Sequence, residues 1–340
     1  MENNKKKLCQ YFTKEKFWIY EDILNIIKKN NFKEILDPFA GNCDLLKLKI
    51  FKNIEIKKGF DVDYFYLNKN ISFNDSLIKI PKQNKSKCII VTNPPYFSKI
   101  SASTKKNKDI FFYFEKNKKY HDIYMFAIEN SLKATRYSIF IIPETFLFLK
   151  NNPFEKNIIS VNIIEKKIFL DTNFPVISVL FDAEKEILDY KIYKNGKFLF
   201  TKSKLNNFKT KNLNSKLNIK KDLISFNNPS GKIFLKCIDG FNKDRKIYFD
   251  LLENNSKKII IKNSSRSETI ININLQNLDF QEIIKLSNLK LNFLRNETND
   301  LIFSPFKGNN EINKRRRRLD FITARKILIK SIEELNYVKK

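Results

Sequence analysis

The sequence predicts an α/β protein whose first half folds as a doubly wound sheet and whose second half is a mixed α+β region. Three observations predict it. Helical and strand-like patterns alternate from residue 16 to residue 181, as a sheet with crossover connections requires. Two continuous apolar runs, 88–92 and 137–143, stop abruptly at turn signals, as strands buried on both faces do. Beyond residue 185 the texture changes to short strand-like pieces separated by Asn, Ser and Lys.

Taken in order, residues 16–29 (KFWIYEDILNIIKK) place Trp18, Ile19, Ile23, Leu24, Ile26 and Ile27 mostly on one helical face. Residues 33–36 read as a strand leading into DPFAGNCDLL, after which a helical pattern runs toward Phe51. IEIKKGFDVD (54–63) reads as a second strand ending at Asp61, and 65–71 as a short helix. Asn74 and Asp75 then follow a short third strand. CIIVT (88–92) is a buried strand that ends at NPPY. Residues 122–133 are helical, YSIFIIP (137–143) is another buried strand, and VISVLF (176–181) closes the series. The boundary falls near 185, giving one domain over 1–185 and another over 186–340. The second carries the strand-like pieces YKIYKNGKFLF, KIFLKCI, RKIYFDLL and KKIIIK, and returns to a helical pattern over 316–336.

A chain of 340 residues with 42% hydrophobic and 14% aromatic residues is not disordered, and six glycines exclude Gly-rich architectures. The net charge of +28 points to a polyanionic partner, nucleic acid above all. Lys, Asn, Ile and Phe dominate, however, as an AT-rich genome would dictate, so charge alone does not name the partner. Four cysteines without a CxxC pair, and a single histidine, argue for a reducing compartment and against a disulfide framework or zinc site. The N-terminus lacks the apolar core of a signal peptide. The longest apolar stretch, 139–149, contains Pro143 and Glu144 and is too short to span a bilayer. The expectation is a soluble, cytoplasmic protein with no membrane partner and no metal.

The strongest chemical signal is Asn93-Pro94-Pro95-Tyr96, directly after a buried strand. In open α/β sheets ligands bind beyond the carboxyl ends of strands. Two prolines restrict the backbone around Asn93. The Asn93 side-chain oxygen and the Pro94 carbonyl can both accept hydrogen bonds from one NH2 group. Tyr96 offers a flat face for a planar group. An exocyclic or a carboxamide nitrogen would suit this arrangement as nucleophile. The second signal is Asp37-Pro38-Phe39-Ala40-Gly41, a small-residue turn where backbone N–H groups can face a ligand and Gly41 permits close approach. About twenty residues on, Asp61 ends the next strand, where a carboxylate can bind ribose hydroxyls.

DPFAGNCDLL, FDVD and TNPPY resemble, in order, the cofactor and catalytic motifs of S-adenosylmethionine-dependent DNA adenine-N6 methyltransferases. QYFT (10–13) is similar to the motif that precedes them in the gamma-type arrangement. HDIYMFAIENSL (121–132), FIIPETFL (140–147) and DTNFPVISVLF (171–181) resemble the motifs that follow, so the likeness spans roughly 8–185. The resemblance implies a Rossmann-like methyltransferase sheet with S-adenosylmethionine as cofactor and a C-terminal DNA-recognition region. It implies that Tyr11 and Thr13 contact the cofactor's methionine end, with the turn of Asp37, Pro38, Phe39, Ala40 and Gly41 against it. Asp61 would take the ribose and Asp75 the cofactor's adenine amine. Asn93 and Pro94 would take the target amine, and Tyr96 and Phe174 would flank a flipped-out base. Two positions depart from the family: Cys43 stands where glycine is usual, and Lys14 where proline usually follows QYFT. No catalytic histidine is required, and His121 reads as a structural residue at a helix start.

Five of the nine arginines lie in RRRRLDFITAR (315–325), a run that lysine-rich genome bias does not explain. Arg315, Arg316, Arg317, Arg318 and Arg325, with Arg266 in SSRSE, are the expected DNA contacts. The expected partners are double-stranded DNA and, in function, a cognate restriction endonuclease. The alternatives are an RNA or protein-glutamine N-methyltransferase, or a DNA-binding homologue whose cofactor site has decayed.

Overall fold

The computed structural model describes residues 16–165, 174–215, 223–243, 246–255 and 266–335. The chain divides into two compact units, 1–202 and 203–340.

The first unit is built on a nine-stranded sheet. Its strands are β1 (Glu34–Asp37), β2 (Ile56–Asp61), β3 (Ile71–Phe73), β4 (Cys88–Thr92), β5 (Tyr137–Pro143), β6 (Ile158–Ile164), β7 (Val176–Asp182), β8 (Lys191–Lys194) and β9 (Lys197–Thr201). They lie side by side in the order β3-β2-β1-β4-β5-β7-β6-β8-β9. The first five are mutually parallel, and β7 runs antiparallel between β5 and β6. The chain steps outward from β1 to β3, then returns to place β4 on the other side of β1. That reversal opens a crevice above the carboxyl ends of β1 and β4.

Apolar alternation assigns the two faces of this sheet. Ile35, Ile89, Val91, Ile139 and Ile141 pack with Trp18, Tyr20 and Ile23 in one core. Leu36, Cys88 and Ile90, one position out of phase, pack with Ile80 and Ala134 in another. Because both sets are buried, the strands read as unbroken apolar runs rather than as alternating ones. Helices α1 (Glu21–Asn30), α2 (Lys99–Thr104), α3 (Lys108–Lys116) and α4 (Tyr124–Ala134) accompany the strands. Asn107 and Ser98 cap α3 and α2 through their side chains, which accept N–H bonds from the first turn.

Three sequence expectations are corrected here. The helix expected between DPFAG and Phe51 is replaced by turns and one 3-10 turn, Lys49–Phe51. Cys43 sits there with φ 60°, a left-handed backbone that interrupts a helix at its start. The helix expected over 65–71 is a single 3-10 turn, Tyr64–Tyr66, capped by the Asp63 side chain. The pieces at 191–201, beyond the boundary expected at 185, are β8 and β9 of the first unit's own sheet, because β8 pairs in parallel with β6.

The second unit holds a four-stranded sheet, β10-β13-β11-β12, with antiparallel pairings. These strands are β10 (Ile224–Phe226), β11 (Ile233–Lys236), β12 (Tyr248–Leu251) and β13 (Glu268–Ile273). After helix α5 (Lys202–Leu213), its helices are α6 (Phe280–Glu297) and α7 (Phe321–Glu334). The Ser287 and Ser331 hydroxyls meet at 2.9 Å between α6 and α7. The Asn288 side chain brackets Phe249 of β12, accepting its N–H at 2.9 Å and donating to its carbonyl at 2.8 Å.

Gly59 of β2 carries a packing constraint on the first unit. A Cβ built there would lie 2.5 Å from the Ala40 Cβ and 3.3 Å from Ile71 Cγ1. Only a bare backbone lets the DPFAG turn rest on β2, where the Ala40 N–H donates to the Phe60 carbonyl at 2.9 Å. Gly59→Ala is therefore expected to destabilise the protein by about 1–3 kcal/mol through overpacking. Urea unfolding of the two proteins checks this, and equal midpoints would contradict it.

Candidate functional site

Because β1 to β4 are parallel, the residues that end or follow them gather on one edge of the sheet. Asp37 ends β1, Asp61 ends β2, Asp75 follows β3 and Asn93 follows β4. Four segments that the sequence reading singled out separately thus converge at the crevice. Tyr11 and Thr13 lie outside the described residues.

Buried hydrogen bonds tie these segments together. The Thr92 hydroxyl donates to Asp37 Oδ1 at 2.6 Å, joining β4 to β1 across the reversal point. The same oxygen accepts the Phe39 N–H at 3.0 Å, so Asp37 also shapes the turn that follows it. Asp61 Oδ2 accepts the Gly41 N–H at 2.9 Å, and its Oδ1 accepts the Asp63 N–H at 2.9 Å. The turn is therefore held at both ends by carboxylates. Pro38 and Ala40 are buried, while Phe39 and Gly41 are half-buried at the crevice. Gly41 has φ 45°, the left-handed conformation expected of a glycine that lets backbone approach a ligand.

Burial sets the electrostatics of this acidic group. Desolvation, opposed by the Thr92 and Phe39 hydrogen bonds and reinforced by Asp61 and Asp44, pushes the Asp37 carboxyl up to about 7. Asp61 is raised as well, mainly by burial, with the Asp63 and Gly41 N–H groups pulling the other way. Cys43, part of whose surface packs on the core, is raised chiefly by burial and then by Asp37.

Asp75 Oδ1 accepts the Leu77 N–H at 3.1 Å, and its Oδ2 accepts the Tyr113 hydroxyl of α3 at 2.8 Å. Asn130 of α4 donates to the Ser76 and Leu77 carbonyls at 3.1 and 2.9 Å, fixing the same loop from behind. The segment that carries α2 and α3 is closed at its base. There Lys99 N–H donates to the His121 carbonyl at 2.8 Å, and Ile123 N–H to the Phe97 carbonyl at 2.9 Å. His121 is exposed and takes part through its backbone.

In the NPPY loop Asn93 and Pro95 are half-buried, and Pro94 and Tyr96 are buried. The Tyr96 hydroxyl donates to the Ile141 carbonyl of β5 at 2.7 Å and also reaches the Asn93 side-chain oxygen. One phenol thus fixes the loop to the next strand and sets the Asn93 amide. The Tyr96 and Phe174 rings stack on each other with centroids 5.7 Å apart and planes 29° apart. That spacing leaves no room for a third ring between them.

The expected DNA contacts of the second unit are distributed differently. Residues Arg315–Arg318 form a strand, β15, paired with β14 (Ser304–Asn309), and not the first turn of a helix. The helix begins at Phe321, where the Asp320 side chain caps it through the Thr323 N–H at 2.9 Å. Strand alternation turns Arg315 and Arg317 inward, and Arg317 is fully buried. The Arg316 Nε donates to the Asp239 carbonyl at 2.8 Å, with the guanidinium over the Phe306 ring. Arg318 is half-buried. Arg325 lies over the Phe226 ring and donates to the Ile224 carbonyl at 3.0 Å. Arg266 is exposed.

Three residues of the site have roles outside those legible in the sequence motifs. Gly59 had a signal, a lone glycine inside a strand pattern. Thr92 had only its place as the last residue of a buried run. Tyr113 had none, because its role depends on where α3 folds back.

No family model matches this chain, and no curated protein matches it. Solved structures do. The chain is similar to the type I restriction-modification methyltransferase subunit from Streptococcus thermophilus, with 14% identity and a TM-score of 0.36, over 53% of this chain and 47% of that one. It is similar to the type IIG restriction endonuclease BpuSI, with 11% identity and a TM-score of 0.40, over 54% of this chain and 27% of that one. An rRNA methylase from Streptococcus thermophilus is similar at 12% identity and a TM-score of 0.27, over 46% of this chain and 89% of that one. The chain thus spans about half the length of the first and about a quarter of the second. At these identities they are likenesses of fold. Among the described residues no group of three or more His, Cys, Asp and Glu could hold a metal ion. No described helix is long and apolar enough to cross a membrane.

Two outcomes follow from this geometry. Cys43 adopts a left-handed backbone that costs an L-residue about 1–2 kcal/mol, so Cys43→Gly should be more stable than Cys43→Ala by roughly that amount. Thermal unfolding of both variants checks it, and an Ala variant as stable as the Gly variant would contradict it. A carboxyl raised to about 7 in the folded protein binds its proton more tightly there than when unfolded. Its contribution to stability is therefore complete at acid pH, below the unfolded value, and is lost as pH rises toward and through 7. Asp37→Asn keeps an acceptor for Thr92 and Phe39 and should flatten that decline in urea unfolding between pH 4 and 8. Parallel curves for the two proteins would contradict it.

Proposed function

We propose that this chain is an S-adenosylmethionine-dependent DNA methyltransferase that modifies N6 of an adenine flipped out of the duplex. The observation that carries the reading is one juxtaposition. Asn93, with Pro94 behind it, stands at the end of β4 beside a turn held between Asp37 and Asp61, on the crevice edge of the sheet.

The residues present fit the cofactor. The cradle over Gly59, which a Cβ would fill, brings the DPFAG backbone down onto β2. Asp61 retains lone pairs for ribose hydroxyls while it holds the Gly41 N–H. Asp75, oriented by Leu77 and Tyr113, would accept the adenine amine. Tyr11 and Thr13 would complete the methionine end. When bound, S-adenosylmethionine supplies a methyl group already activated by its sulfonium.

The chain's own task is alignment and exposure of a lone pair. The N6 lone pair of adenine is delocalised into the ring. The Asn93 side-chain oxygen accepts one amine proton and the Pro94 carbonyl the other, which favours a nucleophilic geometry at nitrogen. Neither acceptor has to act as a strong base or form a covalent bond, because the nitrogen becomes cationic and acidic only once methylated and then releases its extra proton, by way of the Asn93 oxygen, to water. Tyr96 and Phe174 flank the base. Their rings must part from 5.7 Å to about 7 Å, twice an aromatic contact distance, to admit it. Stacking worth about 1–3 kcal/mol per base offsets the cost of flipping. The second unit would hold the duplex, whether the enzyme works alone or beside a restriction endonuclease of the same site.

Transfer of isotope-labelled methyl from S-adenosylmethionine to DNA, RNA and protein tests this reading. Label is expected in duplex DNA alone. Asn93→Ala should lower the transfer rate by at least a hundredfold with cofactor affinity largely kept, whereas Asp61→Ala should chiefly weaken cofactor binding measured by calorimetry. Label in RNA or in protein glutamine, or the reverse pattern in the two variants, would contradict it.

A further inference from the structure

The second unit contains a polar cleft of about 340 Å³ between the C-terminal half of α6, the β14–β15 hairpin and the segment that follows Cys237. Its floor is a closed ion network. Arg295 donates through Nη1 and Nη2 to both oxygens of Asp239, each at 2.8 Å, and through Nε to Asp300 at 2.6 Å. Asp239 also accepts the Ile247 N–H at 3.1 Å and the Arg317 N–H at 2.9 Å. Asp239 is engaged at both oxygens and Asp300 at one, and burial, which disfavours the charge on Arg295, is outweighed by these two carboxylates, which keep it charged.

The rim has the opposite character. Lys243, Lys246 and Lys314 are exposed around the cleft, and among the described residues none of the three is in an ion pair. Arg316 adds a fourth cation whose partners are the neutral carbonyls of Asp239 and Lys307, so its charge is not compensated. Asn242 and Asn292 contribute exposed amides. The Glu311 carboxylate nearby is engaged by the Lys243 backbone N–H at 2.9 Å. Sites for drug-sized molecules are mostly apolar. This cleft presents cations and amides at its rim above an ion-paired floor, which suits an anion with several oxygens. Of the arginine run, Arg315 and Arg316 line the cleft, whereas Arg317 is turned inward and fully buried.

We infer that the cleft rimmed by Lys243, Lys246, Lys314 and Arg316 grips a phosphodiester of duplex DNA, and that these lysines carry much of the second unit's affinity for DNA. The inference rests on the reading of duplex DNA as the partner. Phosphate contacts of this kind position a protein and make its binding salt-dependent without specifying sequence.

The test is binding of the full chain to a labelled DNA duplex across a range of salt concentrations. Lys243→Gln, Lys246→Gln and Lys314→Gln are combined in one variant. A second variant neutralises Lys232, Lys285 and Lys326, lysines of the same unit away from the cleft, to match the change in net charge. Each lost phosphate contact removes about 0.9 from the slope of log affinity against log salt. The cleft variant is expected to lose about 2–3 from that slope and at least tenfold in affinity, and the control to lose far less. Equal losses in the two variants would overturn the cleft while leaving DNA as the partner. A wild-type protein that fails to bind the duplex at low salt would overturn the DNA reading itself, and the cleft with it.

Discussion

The site depends on one constraint, the seam between β1 and β4 where the sheet reverses its order. The two strands are neighbours in space but 55 residues apart at Asp37 and Thr92, and a 2.6 Å hydrogen bond between these residues closes the seam. Everything on the crevice edge is referred to it. The DPFAG turn starts from the same Asp37 oxygen, the NPPY loop starts from the residue after Thr92, and Asp61 meets the turn from the far side. Gly59 supplies the remaining condition, since any side chain there would lift the turn from β2.

On the reading proposed above, this arrangement lets a site with little acid–base machinery do chemistry. Its functional groups are carbonyl oxygens, backbone N–H groups and aromatic faces, held by neighbours that are themselves buried. The Tyr96 hydroxyl, bound to the Ile141 carbonyl and reaching Asn93, shows the economy of the design: one ring fixes the loop, orients the amide and offers a stacking surface. In the Tyr96–Phe174 stack the two apolar ring faces cover each other. On the reading proposed above, a base enters by replacing that contact.

Much of this was legible in the sequence because burial on both sheet faces leaves unmistakable runs. CIIVT and YSIFIIP coincide with β4 and β5, and the turn motifs that follow β1 and β4 mark the crevice. What was not legible depends on tertiary pairing. The stretch after Gly41 has helical spacing but forms turns, since Cys43 takes a left-handed backbone that no periodicity reports. β6 escaped notice because its apolar residues are interrupted by Ser160 and Asn162. Both polar groups are satisfied by distant partners: Ser160 meets the Tyr20 hydroxyl, while Asn162 meets the Phe17 carbonyl and the Gly196 N–H. The arginine run falls within a helical pattern of the sequence, yet its pairing with β14 makes it a strand and sends alternate guanidinium groups inward. Charge in a sequence indicates a partner class, and only the fold says which charges remain available to it.

The central claim, that the Asn93 loop methylates adenine in DNA, is tested most directly in a bacterium lacking its own DNA methylation. The protein is expressed there and modified bases are mapped across the whole genome. The account predicts N6-methyladenine at one short recurrent sequence, absent when Asn93→Ala replaces the wild type. A genome left unmodified by a folded, cofactor-binding protein, or modification that survives the Asn93 change, would contradict it.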